Sequence, residues 1–254
     1  MNPLYFVGLP DWRSALLALL FALPWLWLLA RGYLRRPALW LTFVVAAPLF
    51  SPSIALVQVP IQLALNAFWI AAIGVPAIQA NLILVGLPSV FVSGLVQETA
   101  KLLVAMLGLR LLHEPRGRLA GLALGAAAGA GYGGFEAFWV FNTVFAAGFG
   151  WATIQLAGPA ALLAFYERLV TVPFHVGAAA LSTYGYSTGR TWQYLLAAIL
   201  LHTLANWSAL FVQAKVVGAL ETEAWITVVS VVAIGAALWM RYRRGDERSA
   251  AAAH

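Results

Sequence analysis

The sequence predicts an all-α protein, a polytopic bundle of about seven transmembrane helices, with eight spans as the alternative. Of its 254 residues, 63% are hydrophobic and only 9% are charged, whereas soluble domains carry about 25% charged residues. Apolar runs of about 20 residues, long enough to cross a bilayer, recur along the whole chain. No polar stretch between them is long enough to fold alone. We therefore expect one transmembrane domain over residues 1–254.

Seven apolar segments are the predicted spans, and they cover residues 14–30, 39–73, 82–109, 119–146, 157–184, 191–212 and 224–240. The second is interrupted by Pro48, Pro52 and Pro60, each of which removes a backbone donor and bends or ends a helix. It therefore holds either one span plus a half-helix or two short spans. Residues 74–79 carry no charge and are predicted to be an outside loop. The fourth span opens with six glycines, whose small size allows close helix packing.

Basic residues set the predicted orientation. Arginines cluster at residues 31–36, 110–118 and 241–248, after the first, third and seventh spans. Cytoplasmic loops carry an excess of Lys and Arg, so we place these clusters in the cytoplasm, with the N-terminus outside and the C-terminus inside. The expected location is the plasma membrane of a prokaryote. The same loops explain the net charge of +6, which therefore does not indicate nucleic acid. Residues 250–254 are expected to be a tag scar.

The middle of the third span carries the motif Gln97-Glu98-Thr99-Ala100-Lys101. Ionisable groups at that depth cost free energy unless they pair, line a wet cavity or do chemistry. Glu98 and Lys101 are one helical turn apart. A buried ion pair that joins helices is therefore the alternative to a functional site.

The next three spans each carry polar residues of their own. They are Tyr132 and Glu136 in the fourth span, Arg168 and His175 in the fifth, and His202 and Asn206 in the sixth. Within each pair the spacing of four or seven residues places both side chains on one helix face. Polar side chains also join membrane helices, but four consecutive helices with a carboxylate or imidazole favour one converging cluster. We expect it in a four-helix core at about residues 82–212.

The predicted depths agree except for one residue. Counted from the cytoplasmic end, Glu98, His175 and His202 lie roughly 18 Å deep at the helical rise of 1.5 Å per residue. Glu136 lies roughly 27 Å deep by the same rise. We therefore expect Glu136 to join the cluster only if its helix projects into the cytosol or tilts.

Such a cluster suits the activation of water. A carboxylate or imidazole kept from bulk solvent takes a proton from water, while a second imidazole and an amide stabilise the oxyanion of a tetrahedral intermediate. Two glutamates and two histidines are also a zinc ligand set, namely Glu98, Glu136, His175 and His202. The sequence has no HExxH motif, so zinc is the second interpretation and chemistry without a cofactor the first.

The order and spacing of these motifs resemble those of the PrsW family, and the glycine-rich sequence before Glu136 is also similar to that of YhfC-type proteins. Both belong with the CAAX prenyl proteases and bacteriocin-processing proteins. The resemblance covers about residues 93–207 and rests on Gln97-Glu98-x-x-Lys101, Tyr132-x-x-x-Glu136, Arg168 followed by His175 and a Gly-Tyr-Ser-Thr-Gly stretch at residues 185–189, and His202-x-x-x-Asn206.

The resemblance implies a glutamic-type intramembrane peptidase. A Glu of the first motif and a His would activate water against a peptide bond of a membrane protein or peptide, and the last His and Asn would support the oxyanion. The implied catalytic residues are Glu98, Glu136, His175, His202 and Asn206, with Gln97, Lys101, Tyr132 and Arg168 in support. The implied partners are this substrate and the lipid bilayer.

Gln97 departs from the family pattern, in which the first motif begins Glu-Glu. A glutamine cannot act as a base. Either Glu98 or Glu136 has taken that role, or the protein is a catalytically inactive membrane scaffold of the same fold, or Gln97 is an engineered inactivating change. A small transporter with Glu and His as relay groups is a further class, although the sequence has no inverted repeat of the kind many carriers contain.

Overall fold

The computed structural model describes residues 3–6, 8–111 and 117–243, and every regular element within these ranges is helical. The predicted all-α fold is confirmed. Short 3₁₀ turns lie at Pro3–Phe6 and Gly158–Leu162. The α-helices are α1 (Trp12–Ala30), α2 (Pro37–Pro52), α3 (Val59–Ala80), α4 (Leu82–Val85), α5 (Leu87–Leu111), α6 (Arg118–Ala146), α7 (Trp151–Ala157), α8 (Leu163–Ser187), α9 (Thr191–Gln213) and α10 (Ala219–Tyr242).

The chain is an integral membrane protein. Five of its helical segments are long and apolar enough to cross a membrane, namely Trp12–Ala30, Pro37–Ala80, Leu82–Leu111, Thr191–Gln213 and Ala219–Tyr242. Helix α6 and the segment Trp151–Ser187 meet the same criterion only as a pair, joined at a bend of 86°, which raises the number to six. These segments coincide with the seven predicted apolar segments, but the described residues contain only five or six candidate spans, fewer than the seven predicted, because α6 and Trp151–Ser187 do not qualify separately. The fifth begins later than predicted, since residues 158–162 form the 3₁₀ turn before α8.

The proline-rich second segment is helical from Pro37 to Ala80 apart from a kink at Gly74. Pro52 lacks the N–H that an α-helical turn requires, and the turn that follows it, Ser53–Gln58, is a π-helix. The predicted loop at residues 74–79 is wrong, because only Gly74, at φ 77° and ψ 161°, leaves the helical conformation. None of the residues of α3 is buried, so this helix lies on the outside of the bundle.

Helix α6 is the centre of the bundle, and α1, α2 and α8 pack around it. Every residue from 120 to 134 is buried. Its glycines face α8 in antiparallel order, with Gly121 against Ser187, Gly125 against Ala180 and Gly129 against His175. The glycine-rich stretch therefore brings the backbones of α6 and α8 into direct contact, as the sequence predicted.

Replacing Gly129 with alanine is expected to weaken the contact between α6 and α8. A Cβ atom there would lie 2.3 Å from the backbone oxygen of His175 and 2.7 Å from its carbonyl carbon, and a helix backbone does not yield as a flexible side chain does. We expect overpacking to lower the free energy of unfolding by about 1–3 kcal/mol, measured by thermal or SDS-induced unfolding in detergent.

Gly134→Ala is the matched control on the same helix, because its new Cβ atom meets Ala22 Cβ at 3.6 Å, an ordinary contact. Alanine favours a helix over glycine by about 1 kcal/mol, so this variant should be neutral or more stable. Equal losses of stability in both variants would contradict the backbone contact at Gly129.

Described arginines of the three predicted basic clusters, together with Arg190, gather at one end of the bundle, which we call the basic end. Arg118, Arg190 and Arg243 line one cavity, and the guanidinium of Arg31 lies 5.3 Å from the ring centroid of Tyr242. The predicted basic clusters therefore meet on one side of the molecule. Residues 112–116 and 244–254, including the expected tag scar, lie outside the described ranges.

Candidate functional site

Four helices bring the predicted site residues together. Helix α5 contributes Gln97, Glu98 and Lys101, α6 contributes Tyr132 and Glu136, α8 contributes Arg168 and His175, and α9 contributes His202 and Asn206. Hydrogen bonds link six of these side chains into one continuous network from α9 to α8. The predicted convergence on the four-helix core is therefore present in the structure.

A fully buried ion pair forms the middle of the network. Lys101 Nζ lies 2.6 Å from Glu98 Oε1, and both side chains are 0% exposed. The same ammonium lies 2.9 Å from His175 Nδ1, and the same carboxylate oxygen lies 2.6 Å from His202 Nδ1. The pair is thus the link between the two histidines as well as a contact within α5.

Glu136 joins two groups of α8. Its Oε1 atom accepts from Arg168 Nη1 at 2.6 Å, and its Oε2 atom lies 2.7 Å from His175 Nε2. Arg168 also forms an ion pair with Glu167. Because Arg168 and His175 are two turns apart on one helix face, one carboxylate reaches both of them, as the spacing predicted.

Side-chain direction closes the predicted difference in depth between Glu136 and His175. In an α-helix each Cα–Cβ bond is tilted toward the N-terminus of its own helix. Helices α6 and α8 are antiparallel, so Glu136 tilts toward the basic end and His175 tilts away from it. The two side chains therefore converge from backbone positions at different depths.

The contacts also assign the protons of the two imidazoles. A carboxylate only accepts hydrogen bonds and an ammonium only donates them. His202 therefore donates from Nδ1 to Glu98, while His175 accepts at Nδ1 from Lys101 and donates from Nε2 to Glu136. His202 Nε2 has no hydrogen-bond partner among the residues that the structure describes. It is left with a free lone pair.

Beside the network lies a cavity of about 170 Å³, far above the roughly 10–15 Å³ that one water molecule requires. Four of the five predicted catalytic residues line it, namely Glu136, His175, His202 and Asn206. The other lining residues are Gln97, Glu167, Arg168, Thr171, Phe174, Ala205 and Ile226. Glu98 is not among the lining residues. It lies behind His202, so its contact with the cavity is indirect.

Gln97, which stands where the PrsW resemblance would predict a glutamate, lines the cavity. Its Nε2 atom donates to Gln58 Oε1 at 3.0 Å and to Ser93 Oγ at 3.1 Å. Asn206 Nδ2 donates to the same Ser93 oxygen at 2.9 Å. Both N–H groups of Gln97 are thus used, whereas one N–H of Asn206 is left for another acceptor.

Tyr132 supports the network from the side away from the cavity. Its hydroxyl lies 2.8 Å from Ser53 Oγ, and its ring centroid lies 5.9 Å from that of His175. Lys101 Nζ lies 5.4 Å from the same ring centroid, within the range of a cation–π contact. The tyrosine therefore encloses the ammonium and lies outside the lining of the cavity.

Several site residues were missed by the sequence analysis: Ser53 and Gln58 from the π-helical turn, Ser93 from α5, Glu167, Thr171 and Phe174 from α8, Ala205 from α9 and Ile226 from α10. Two of them had a signal. Glu167 is an ionisable residue next to Arg168 within the predicted fifth span. Gln58 and Gln62 are polar residues four positions apart in a segment without charges, which is the same pattern that identified His202 and Asn206. The apolar and hydroxyl residues had none, since such residues occur throughout membrane helices.

The alternative zinc ligands meet only in part. Donor atoms of Glu98, His175 and His202 lie within 4.8 Å of one another, whereas Glu136 is occupied by Arg168 and His175. Lys101 Nζ bonds both Glu98 and His175. A zinc ion at this group would have to displace a buried ammonium, so these donors fit the protein's own cation better than a metal.

The fold and the site together define the class: an all-α integral membrane protein with a buried acid, base and imidazole network beside an internal cavity. Among known proteins, no family model, curated protein or solved structure matches the chain. Membership of the PrsW-like group stays a prediction based on the motifs.

Proposed function

We propose that the chain is an intramembrane peptidase in which His202, oriented by Glu98, activates a water molecule against a peptide bond. The observation that carries the proposal is His202 itself: the residue lines the cavity, its Nδ1 atom is held by a buried carboxylate, and its Nε2 atom has no partner among the described residues. Such a carboxylate fixes the tautomer and stabilises the imidazolium that forms when the ring accepts a proton.

The motif resemblance implies that a Glu and a His activate water together, and the contacts suggest a separate role for each member of the pair. Glu98 Oε1 already accepts from Lys101 and from His202, so the imidazole takes the proton from water and the carboxylate supports it. Asn206 then donates its remaining N–H to the developing oxyanion. Glu136 and Arg168 hold His175 on the other wall of the cavity.

The proposal requires no cofactor, because Lys101 supplies the positive charge that balances Glu98 in the network. The substrate is a membrane protein or peptide, since the motifs resemble enzymes of that class and the cavity lies among helices that cross the bilayer. We place the basic end in the cytoplasm of a prokaryotic cell and the N-terminus outside. Cysteines introduced beside Arg35 and Arg243 should accordingly be labelled only from the cytoplasmic side.

Gln97 favours a second function, that of a membrane scaffold without catalysis. Its amide lies in the cavity where the family pattern has a carboxylate, and both of its N–H groups are held by Gln58 and Ser93. A scaffold would keep the buried network for the stability of the fold. The two functions differ in whether the cavity supports hydrolysis at all.

Gln97→Glu is expected to raise the rate of peptide cleavage, because it adds a carboxylate, beside Glu136 and Glu167, to the cavity that holds the attacking water. The measurement is the turnover of a panel of single-pass membrane substrates in proteoliposomes. Gln79→Glu adds the same charge at an exposed position of α3 that does not line the cavity, and it should leave the rate unchanged. Absence of cleavage by both the wild type and Gln97→Glu over the whole panel would favour the scaffold.

A further inference from the structure

We propose that the basic end contains a binding site for the phosphate group of an anionic membrane lipid. A cavity of about 370 Å³ lies there between α6, α8, α9 and α10. Its lining includes Arg118, Arg190 and Arg243 together with the side chains of Tyr184, Thr188 and Tyr194. This cavity shares no lining residue with the candidate catalytic cavity, so the proposal is independent of peptidase activity.

The three guanidinium groups have no anionic partner within the described ranges. No acidic side chain is among the described residues that line the cavity, and none of the three arginines forms an ion pair there; Arg243 instead stacks on Trp239 at 4.5 Å. Gathering like charges around one space is unfavourable unless an anion enters it. A guanidinium fork matches phosphate oxygens in a bidentate geometry.

Backbone donors add to the positive character of this cavity. Helix α6 begins at Arg118, and Arg190 is the N-cap residue of α9. In both α6 and α9, the N-cap residue makes no side-chain capping bond. The first N–H groups of both helices are therefore open to an anion. The dipoles of two helices therefore point their positive ends at the space that the arginines surround.

The surroundings of the cavity indicate a lipid phosphate. Trp239, which lines the cavity, is 55% exposed, and Trp192, two residues after Arg190, is 68% exposed. Tryptophan concentrates at the level of lipid headgroups. Below the cavity, α10 exposes Val228, Val231 and Val232 along its outer face. A headgroup in the cavity would leave its acyl chains against this apolar face.

Native mass spectrometry of the full chain in a non-ionic detergent tests the site, with phosphatidylglycerol, phosphatidylcholine or inorganic phosphate added. We expect phosphatidylglycerol to bind at least about tenfold more tightly than phosphatidylcholine, whose choline cation faces the same arginines. Inorganic phosphate should not displace it. Displacement at comparable concentration would overturn the assignment to a lipid and identify a free phosphate site.

Arg190→Gln should weaken phosphatidylglycerol binding about tenfold, as expected for the loss of a charged hydrogen bond. Arg35→Gln removes the same charge at the same end without touching the cavity lining and should change binding by less than about twofold, since it alters only the general field. Arg190→Lys keeps the charge but loses the forked guanidinium, so its binding of phosphatidylglycerol should lie between that of Arg190→Gln and that of Arg35→Gln. Equal binding by Arg190→Gln, Arg190→Lys and Arg35→Gln would refute the site.

Discussion

Replacing Lys101 with alanine is expected to lower the free energy of unfolding by about 3–5 kcal/mol, the loss that follows when one partner of a buried ion pair is removed. Glu98 would stay fully buried with only His202 as a partner. If the carboxyl group of Glu98 is protonated instead of staying buried as an ion, that protonation itself breaks the network. Thermal or SDS-induced unfolding in detergent measures the loss.

Two further variants make this test specific. Lys215→Ala removes the other lysine of the chain, which is exposed, and should change stability by no more than about 0.5 kcal/mol. The double variant Glu98→Gln with Lys101→Met removes both charges and should recover most of the lost stability. It should not recover cleavage, because His202 loses the carboxylate that orients it. A single Lys101→Ala variant as stable as Lys215→Ala would show that the pair does not stabilise the bundle.

His202→Ala is expected to lower the rate of peptide cleavage by roughly 10²–10⁴, the usual contribution of a general base. The bundle should persist, because Glu98 keeps its bond to Lys101. His175→Ala and Glu136→Gln should also abolish cleavage, since the first removes the imidazole opposite His202 and the second removes the charge that holds Arg168 and His175 in place. Rates are measured in proteoliposomes, in the wild type or in Gln97→Glu if that variant is faster.

Thr203→Ala is the matched control for His202→Ala. Thr203 is the next residue of α9 and is also buried, but its hydroxyl donates to the backbone of its own helix, at Ile199 O, at 2.8 Å. Its replacement should leave the rate unchanged. Undiminished cleavage after both His175 and His202 have been replaced would show that the proposed site is wrong.

Helical periodicity was sufficient to predict which polar residues share a face. Arg168 and His175 both contact Glu136, and His202 and Asn206 both line the cavity. These relations depend only on the spacing within one helix. Convergence between helices was also predictable, because isolated ionisable groups in a bilayer are unfavourable and such groups tend to find one another.

Helix rotation was not predictable in the same way. Gln97 and Glu98 are adjacent, so their side chains point about 100° apart around the axis of α5. The first lines the cavity and the second lies behind it. Apart from this motif, Ser89, Ser93 and Arg110, helix α5 is apolar. Serines occur throughout membrane helices, so the sequence alone does not set the rotation. Packing against α9, α6, α2 and α8 decides it.

The contact between Gln58 and Gln97 could not be predicted for a different reason. Gln58 lies in the π-helical turn after Pro52, and its approach to Gln97 depends on how that turn redirects the chain. Proline in a sequence indicates a disturbance of a helix without giving its direction. The same limit explains the wrong loop at residues 74–79, where one glycine changes the course of α3 and the helix resumes.

The position of each counterion also bears on how the chain enters the bilayer during synthesis. Glu98 has its cation three residues away on the same helix, so we expect α5 to enter the lipid independently. Glu136 has its cation on α8, and α6 and Trp151–Ser187 are apolar enough only as a pair. We therefore expect α6 to enter the lipid together with α8.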